Sequence, residues 1–354
     1  MKSTQKNIFK RLLFLIIMVI ISFIIIFISK LNITPASTVI ADTSYFFDTF
    51  VTITIYESDK DNIKKDTELI SKCFDICKKY EEIFSTTLEN SELYKLNESD
   101  AQFFNISNEL ADILNLSYEY NLLTDGAFNV SVGNLSELWN FKNEKIPTDE
   151  DIKNAMSEFE NSIYSIEDNA IIWNTDDKIP DITLGGIAKG YVADKLKEYL
   201  LSQNITSGII NLGGNVLLLG NKPDKSNFII GITKPFTTTG ENITSITLSD
   251  MSVVTSGIYE RYFMADNKIY HHILDPQTGY PVQNDLYSVT IISDSSTFAD
   301  ALSTSVYVMG MDKGLELINS IDNVYAVFIN KNYEIKLSNG LSIDNNIISI
   351  INEN

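Results

Sequence analysis

An α+β fold, with mixed or antiparallel sheets and packed helices, is what this sequence predicts, and three observations predict it. Segments with strand-like alternation outnumber those with helical spacing. The helical segments come singly rather than between every pair of strands, and no internal repeat of about 20–50 residues is visible. A doubly wound α/β sheet would instead alternate strand and helix regularly. With 354 residues, 44% of them hydrophobic, the chain can bury a sizeable core as one large domain or two ordinary ones.

Residues 12–28 form an almost unbroken run of Leu, Ile, Phe, Val and Met, interrupted only by Ser22. Lys2, Lys6, Lys10 and Arg11 precede it and Lys30 follows. At about 1.5 Å rise per residue this run is near the lower limit for a bilayer core of about 30 Å. The basic cluster puts the N-terminus in the cytoplasm and the rest outside. Residues 1–30 are therefore expected to be a cytoplasmic tip and transmembrane anchor, 31–42 a linker, and 43–354 one extracytoplasmic domain on a single-pass membrane protein. A cleaved signal peptide is the alternative, although no clear A-x-A site follows the run. The net charge of −20 argues against a nucleic-acid partner, which requires a basic surface. Cys73 and Cys77, the only cysteines, share one helical face and match neither a redox nor a zinc pattern, so they read as core residues.

Along the body, residues 50–56 alternate as a strand, and 61–83 carry apolar residues at helical spacing. Ser107 can cap a helix running to Tyr120. Residues 125–133 read as a turn entering an extended segment, 135–139 as a short helical piece, and 149–157 as a helix. Residues 163–173 suggest a hairpin around Asp168-Asn169. A glycine turn at Gly185-Gly186 precedes a helix over 192–203. Two strands flank Gly213-Gly214-Asn215, and further strands are expected at 228–232, 244–248, 251–256 and 286–293. A helix over 297–309, capped by Ser295 or Ser296, is followed by one over 313–320. Strands at 325–329, 334–337 and 347–351 close the chain.

Three places carry candidate chemistry. Gly185-Gly186-Ile187-Ala188-Lys189-Gly190 is neither a Walker A nor a G-x-G-x-x-G sequence. Two glycines ahead of a helix nonetheless leave backbone N–H groups open to an anion, and Lys189 adds charge; a plain tight turn is the alternative. Asp300 and Thr304 stand at i and i+4 of a helix, so their oxygens share a face. A carboxylate plus a hydroxyl suits Mg²⁺, which keeps water or substrate phosphates in its other positions; a helix-terminal Asp favoured by the dipole is the alternative. His271 and His272 are the only histidines, and they precede the turn Asp275-Pro276-Gln277-Thr278-Gly279. On a strand, adjacent histidines point to opposite faces and make no metal pair.

Taken together these segments resemble the FAD:protein FMN transferase family, also called the ApbE family. The resemblance runs from about Thr43 to the C-terminus. It is carried by Phe46-Phe47-Asp48-Thr49, Phe84-Ser85 with Ser91-Glu92-Leu93, and Thr124-Asp125-Gly126-Ala127-Phe128-Asn129 with Leu138-Trp139. Leu184-Gly185-Gly186-Ile187-Ala188-Lys189-Gly190, Asn211-Leu212-Gly213-Gly214-Asn215 and Thr255-Ser256-Gly257 continue it, before His272-Ile273-Leu274-Asp275-Pro276 and Ala299-Asp300-Ala301-Leu302-Ser303-Thr304. The resemblance implies one catalytic domain of an extracytoplasmic, Mg²⁺-dependent enzyme. That enzyme splits FAD, attaches FMN to a threonine or serine hydroxyl of a membrane redox protein, and releases AMP. It implies Mg²⁺ on Asp300, Thr304 and the Gly186 carbonyl. His272, Lys189 and Asp300 are the expected catalytic residues, with Lys189 adding positive charge and His272 either a general base toward the acceptor hydroxyl or a phosphate contact. The resemblance implies FAD against Phe47, Thr87, Ala127, Phe128, Asn129, Thr183, Lys189, His272 and Ser303. Asn129 stands where members often have Asp, and Thr183 where Asp commonly precedes the glycine turn. Two alternatives remain: an Mg²⁺-dependent FAD pyrophosphatase yielding FMN and AMP, and an anchored flavin-binding protein without catalysis.

Overall fold

The computed structural model describes residues 38–58, 62–160, 163–174, 179–237 and 239–351. The anchor expected at residues 1–30 lies outside them. Among the described residues no helix is long and apolar enough to cross a membrane.

The described chain opens with a hairpin of β1 (Thr38–Phe46) and β2 (Thr49–Ser58). Phe47 and Asp48 turn it with φ of 53° and 57°, as a two-residue type I′ connection requires. β1 begins inside the stretch expected as linker, because Ile40 and Asp42 pair with Ile55 and Ile53 of β2. Helix α1 (Ile63–Phe84) is the amphipathic segment, burying Leu69, Ile70, Cys73, Cys77, Tyr80 and Phe84. Both cysteines are free, and burial pushes their thiols up to about 12. Next come α2 (Glu92–Asn97), β3 (Phe103–Asn105) and α3 (Asn108–Leu123), with Ser107 accepting from the Leu110 N–H as expected of a cap.

Of residues 125–133, expected as a turn entering an extended segment, 125–132 are irregular and Gly133 opens a helix. The Thr124 hydroxyl accepts from the Phe128 N–H and Asn129 Oδ1 from the Ser131 N–H, and these local bonds compete with strand pairing. α4 (Gly133–Trp139) and α5 (Asp149–Glu160) follow. β4 (Ile163–Glu167) and β5 (Ala170–Asn174) then pair around Asp168-Asn169, and α6 (Ala188–Ser202) starts earlier than expected, taking in Lys189 and Gly190. β6 (Gly208–Leu212), β7 (Asn215–Leu219), β8 (Phe228–Thr233), β9 (Asn242–Leu248) and β10 (Ser252–Gly257) match the expected strands.

β11 (Tyr262–Ala265) and β12 (Lys268–His271) form a hairpin in a stretch where the sequence reading placed no element. β13 (Leu286–Ser293) leads into α7 (Ser296–Asn319), and Ser295 is its cap. The two helices expected here are one stretch broken at Gly310, whose φ of 79° and ψ of 179° interrupt the helix. β14 (Tyr325–Asn330), β15 (Ile335–Leu337), β16 (Leu341–Asp344) and β17 (Ile347–Ile350) complete the chain.

Eight strands form the main sheet in the order β1-β2-β6-β7-β10-β13-β14-β15, every neighbouring pair antiparallel. Period-2 alternation divides its side chains between two cores. Val51, Ile53, Leu217, Val254, Ile291 and Phe328 pack toward α1, α6 and α7. Leu218, Val253, Ile292 and Val327 turn the other way, onto a four-stranded sheet of order β16-β17-β9-β8. The result is three layers, helices over a large sheet over a small one, with β3-β5-β4 and β11-β12 as separate small sheets. This bears out the α+β expectation. The N-terminal ends of α6 and α7 meet on the helical side of the main sheet.

Candidate active site

Helices α6 and α7 approach closely enough that Gly190 cannot carry a side chain. A Cβ there would collide with the Ser296 carbonyl oxygen and stand 2.7 Å from the Asp300 Cβ. The closeness lets the Gly190 N–H donate to Asp300 Oδ2 at 2.8 Å. Asp300 is 4% exposed, and its other oxygen, Oδ1, lies 4.0 Å from Lys189 Nζ. Lys189 Nζ also donates to the Gly185 carbonyl at 3.2 Å, which folds the lysine back over its own glycine turn.

One turn along α7, the Thr304 hydroxyl is 3.2 Å from that of Ser256 at the end of β10. Ser256 also pairs with the Ser303 hydroxyl at 2.8 Å, and Ser303 donates to the Asp300 carbonyl at 2.9 Å. Gly186 faces this group, since a Cβ there would be 3.5 Å from Thr304 Oγ1 and 3.5 Å from the Phe128 ring. The Phe128 segment is tied to the same turn. Thr183 N–H donates to the Val130 carbonyl at 2.7 Å, and Gly185 N–H points at Thr183 Oγ1 at 3.4 Å.

A second wall comes from the two ends of the β11–β12 hairpin. The His272 N–H donates to the Arg261 carbonyl at 3.1 Å, and Nδ1 lies 3.3 Å from the same oxygen. That partner assigns the proton to Nδ1 and leaves the Nε2 lone pair free. Burial holds the His272 imidazole down to about 3, and the Arg261 and Lys189 charges add to this, so the ring is neutral. Glu260, beside Arg261, is open to water along part of its surface, yet burial still raises its carboxyl to about 7. The Asp300 charge contributes, while Lys189 and Arg261 oppose it. Glu260 is thus within electrostatic reach of Asp300 and Lys189, and His272 within reach of Lys189.

His271 does something different. It is 2% exposed, its Nε2 meets the Val282 carbonyl at 2.9 Å, and its ring stands edge-on to Tyr307. It closes the loop that carries His272, together with the Val282 N–H bond to Ile273 and the Leu274–Pro281 bridge. The Trp139 indole supports that loop from the other side by donating to the Gly279 carbonyl at 2.8 Å.

Of the residues expected at the site, Gly186, Lys189, Asp300, Ser303 and Thr304 come together, with Phe128, Asn129 and Thr183 on the adjoining segment and His272 on the opposite wall. Ala127 is buried beside Phe128. The Phe47 N–H donates to Glu81 at 2.6 Å, and Thr87 hydrogen-bonds Ser85 through its N–H and hydroxyl. No hydrogen bond or ring contact joins either to the Asp300 group among the described residues. Sequence reasoning missed Glu260, Ser256 as a bridging hydroxyl, and Asp194, which binds the start of α7. Only Ser256 had a signal, inside Thr255-Ser256-Gly257.

Among the described residues no three His, Cys, Asp or Glu side chains converge as a metal cage. The donors present are one carboxylate oxygen left over from the Gly190 bond, one hydroxyl and the carbonyls of a glycine turn. All are hard oxygens and too few to satisfy a cation alone, which fits Mg²⁺ completed by water and phosphate.

A family model described as the ApbE family matches residues 47–329. An FAD:protein FMN transferase of Klebsiella pneumoniae is 34% identical over 276 residues, covering 77% of this chain and 85% of that protein. One of Treponema pallidum is 30% identical over 288 residues, covering 77% and 80%. Among solved structures, the ApbE protein of Thermotoga maritima superposes with a TM-score of 0.76 at 31% identity, over 85% of this chain and 97% of that one. The flavin transferase ApbE of Vibrio cholerae gives 0.72 at 26% identity, over 86% and 98%. By fold, by sequence and by the residues gathered between α6 and α7, the chain belongs to the ApbE family.

Proposed function

We propose that the chain splits the pyrophosphate of FAD with the help of Mg²⁺, attaches FMN to a threonine or serine hydroxyl of an extracytoplasmic redox protein, and releases AMP. Family membership makes it an FAD:protein FMN transferase; the cation, the acceptor residue and the leaving AMP are the finer reading. The observation that carries it is the meeting of Asp300, Thr304, Gly186 and Lys189 at the joined ends of two helices.

Phosphoryl transfer asks a protein mainly for positioning and charge neutralisation. Asp300 Oδ1, the Thr304 hydroxyl and the Gly186 carbonyl would hold Mg²⁺, and that ion would supply neutralising charge on the pyrophosphate oxygens. Lys189 adds a positive charge beside Asp300. The acceptor hydroxyl oxygen bonds to the FMN phosphorus, the bond from that phosphorus to the bridging oxygen breaks, and AMP departs with that oxygen. The hydroxyl proton passes to a base. His272, neutral and with Nε2 unprotonated, is one acceptor on the site wall, and Glu260 is another. Their arrangement across from Asp300 favours transfer over mere flavin binding, which has no use for a proton acceptor. The apolar run at residues 12–28 with its basic flank supports a single-pass membrane location with this domain extracytoplasmic.

Asp300→Ala removes the one carboxylate of the donor set. Mg²⁺-dependent formation of AMP and of covalent flavin should both vanish, as read by chromatography and protein fluorescence. Full activity in that variant would sink the metal assignment.

A further inference from the structure

Helices α6 and α7 cap each other. The Gly190 N–H, in the first turn of α6, is one of the amides no carbonyl of its own helix can reach, and Asp300 of α7 takes it at 2.8 Å. The reverse contact is denser. Asp194 stands one turn beyond Gly190 on α6. It accepts from the Ser296 and Thr297 N–H groups, each at 2.9 Å, and from the hydroxyls of Thr297 at 2.6 Å and Ser295 at 3.1 Å. Those amides open α7, where a carboxylate is also favoured by the helix dipole. Beneath them the Ser296 hydroxyl donates to Asn215 Oδ1 at 2.7 Å and accepts from Ser252 at 2.9 Å. The Asn211-Leu212-Gly213-Gly214-Asn215 pattern thus ends on the same joint.

Thr297 and Asp300 are three residues apart, so they share a side of α7 and move together. We infer that Asp194 is a positioning residue for the metal site. By fixing the first turn of α7 against α6, it commits Asp300 Oδ2 to Gly190 and sets Oδ1 toward the cation. The inference rests on reading Asp300 as the cation's carboxylate. A clamp that only held the fold together would affect stability and leave cation affinity alone.

Mn²⁺ titration of the full chain, followed by the paramagnetic resonance signal of the free ion, separates these roles when thermal midpoints are measured on the same samples. Asp194→Ala should weaken Mn²⁺ binding by about tenfold or more, the range seen for groups that orient metal ligands. Asp194→Asn, which keeps one acceptor oxygen, should recover part of it. The Mg²⁺ concentration for half-maximal FAD turnover should rise in parallel, while KM for FAD at saturating Mg²⁺ holds. Thr297→Val, which removes the 2.6 Å bond, should shift Mn²⁺ affinity in the same direction by less, and it replaces Asp194→Ala if that variant does not fold. A lowered thermal midpoint with unchanged Mn²⁺ affinity would overturn the inference while Asp300→Ala still loses the ion. Wild-type affinity in Asp300→Ala would overturn both the inference and the metal reading beneath it.

Discussion

Gly190 and His271 show how single residues build this site without touching a substrate. Gly190 is in ordinary helical backbone, so its value lies in the missing Cβ rather than in conformational freedom. Gly190→Ala would press a methyl group onto Ser296 and Asp300. Overpacking of that kind costs about 1–3 kcal/mol, to be read as a lowered denaturation midpoint, and it should also move Asp300 away from its amide. His271 is neutral because burial, with a smaller contribution from the Lys331 charge, lowers it to about 4. The unfolded chain binds the proton near 6.5, so between those values the unfolded state holds more protons and stability falls as pH falls. The loss has an upper bound of about 3 kcal/mol at pH 4. The thermal midpoint of the wild type should therefore drop more steeply from pH 6.5 to 4 than that of His271→Gln. Parallel curves would show that His271 takes no part in the acid response.

Elements that carry their own local signal were legible in the sequence; those defined by a partner were not. The apolar spacing of α1, the Ser107 cap of α3 and the Asp168-Asn169 turn needed no tertiary context. The β11–β12 hairpin turns at Asp266-Asn267 with the same two positive φ values, 48° and 60°, but its strands are only four residues each. They are held by Trp139, Phe141 and Tyr307, which come from distant parts of the chain. Phe47 at φ 53° had no turn signal at all. At the site, the Asp300–Thr304 face could be read because i and i+4 suffice to align it. Glu260 and Asp194 could not, because each acquires meaning only from a helix or strand end brought to it by the fold. The break in α7 was legible in outline, as two helices, and Gly310 is its cause. Its backbone is in a region open essentially to glycine alone, with free space around it. Gly310→Ala should cost about 1–3 kcal/mol of stability through backbone strain and leave flavin transfer intact; loss of transfer at unchanged stability would contradict this.

At the scale of the molecule, the large sheet serves as a platform that sets two helix N-termini side by side. The small sheet seals its far face, and the β11–β12 hairpin brings Glu260 and His272, which flank its two ends, within electrostatic reach of Lys189. One measurement tests the central claim most directly. The purified full chain is incubated with FAD, Mg²⁺ and a redox-protein fragment bearing an acceptor threonine, and the fragment is examined for covalent flavin fluorescence and for added mass. The account predicts a fragment heavier by one FMN, with AMP formed in equal amount and neither product appearing without Mg²⁺. Free FMN with an unlabelled fragment would mark a pyrophosphatase, and unchanged FAD with every divalent cation would mark a binding protein; either result would contradict the account.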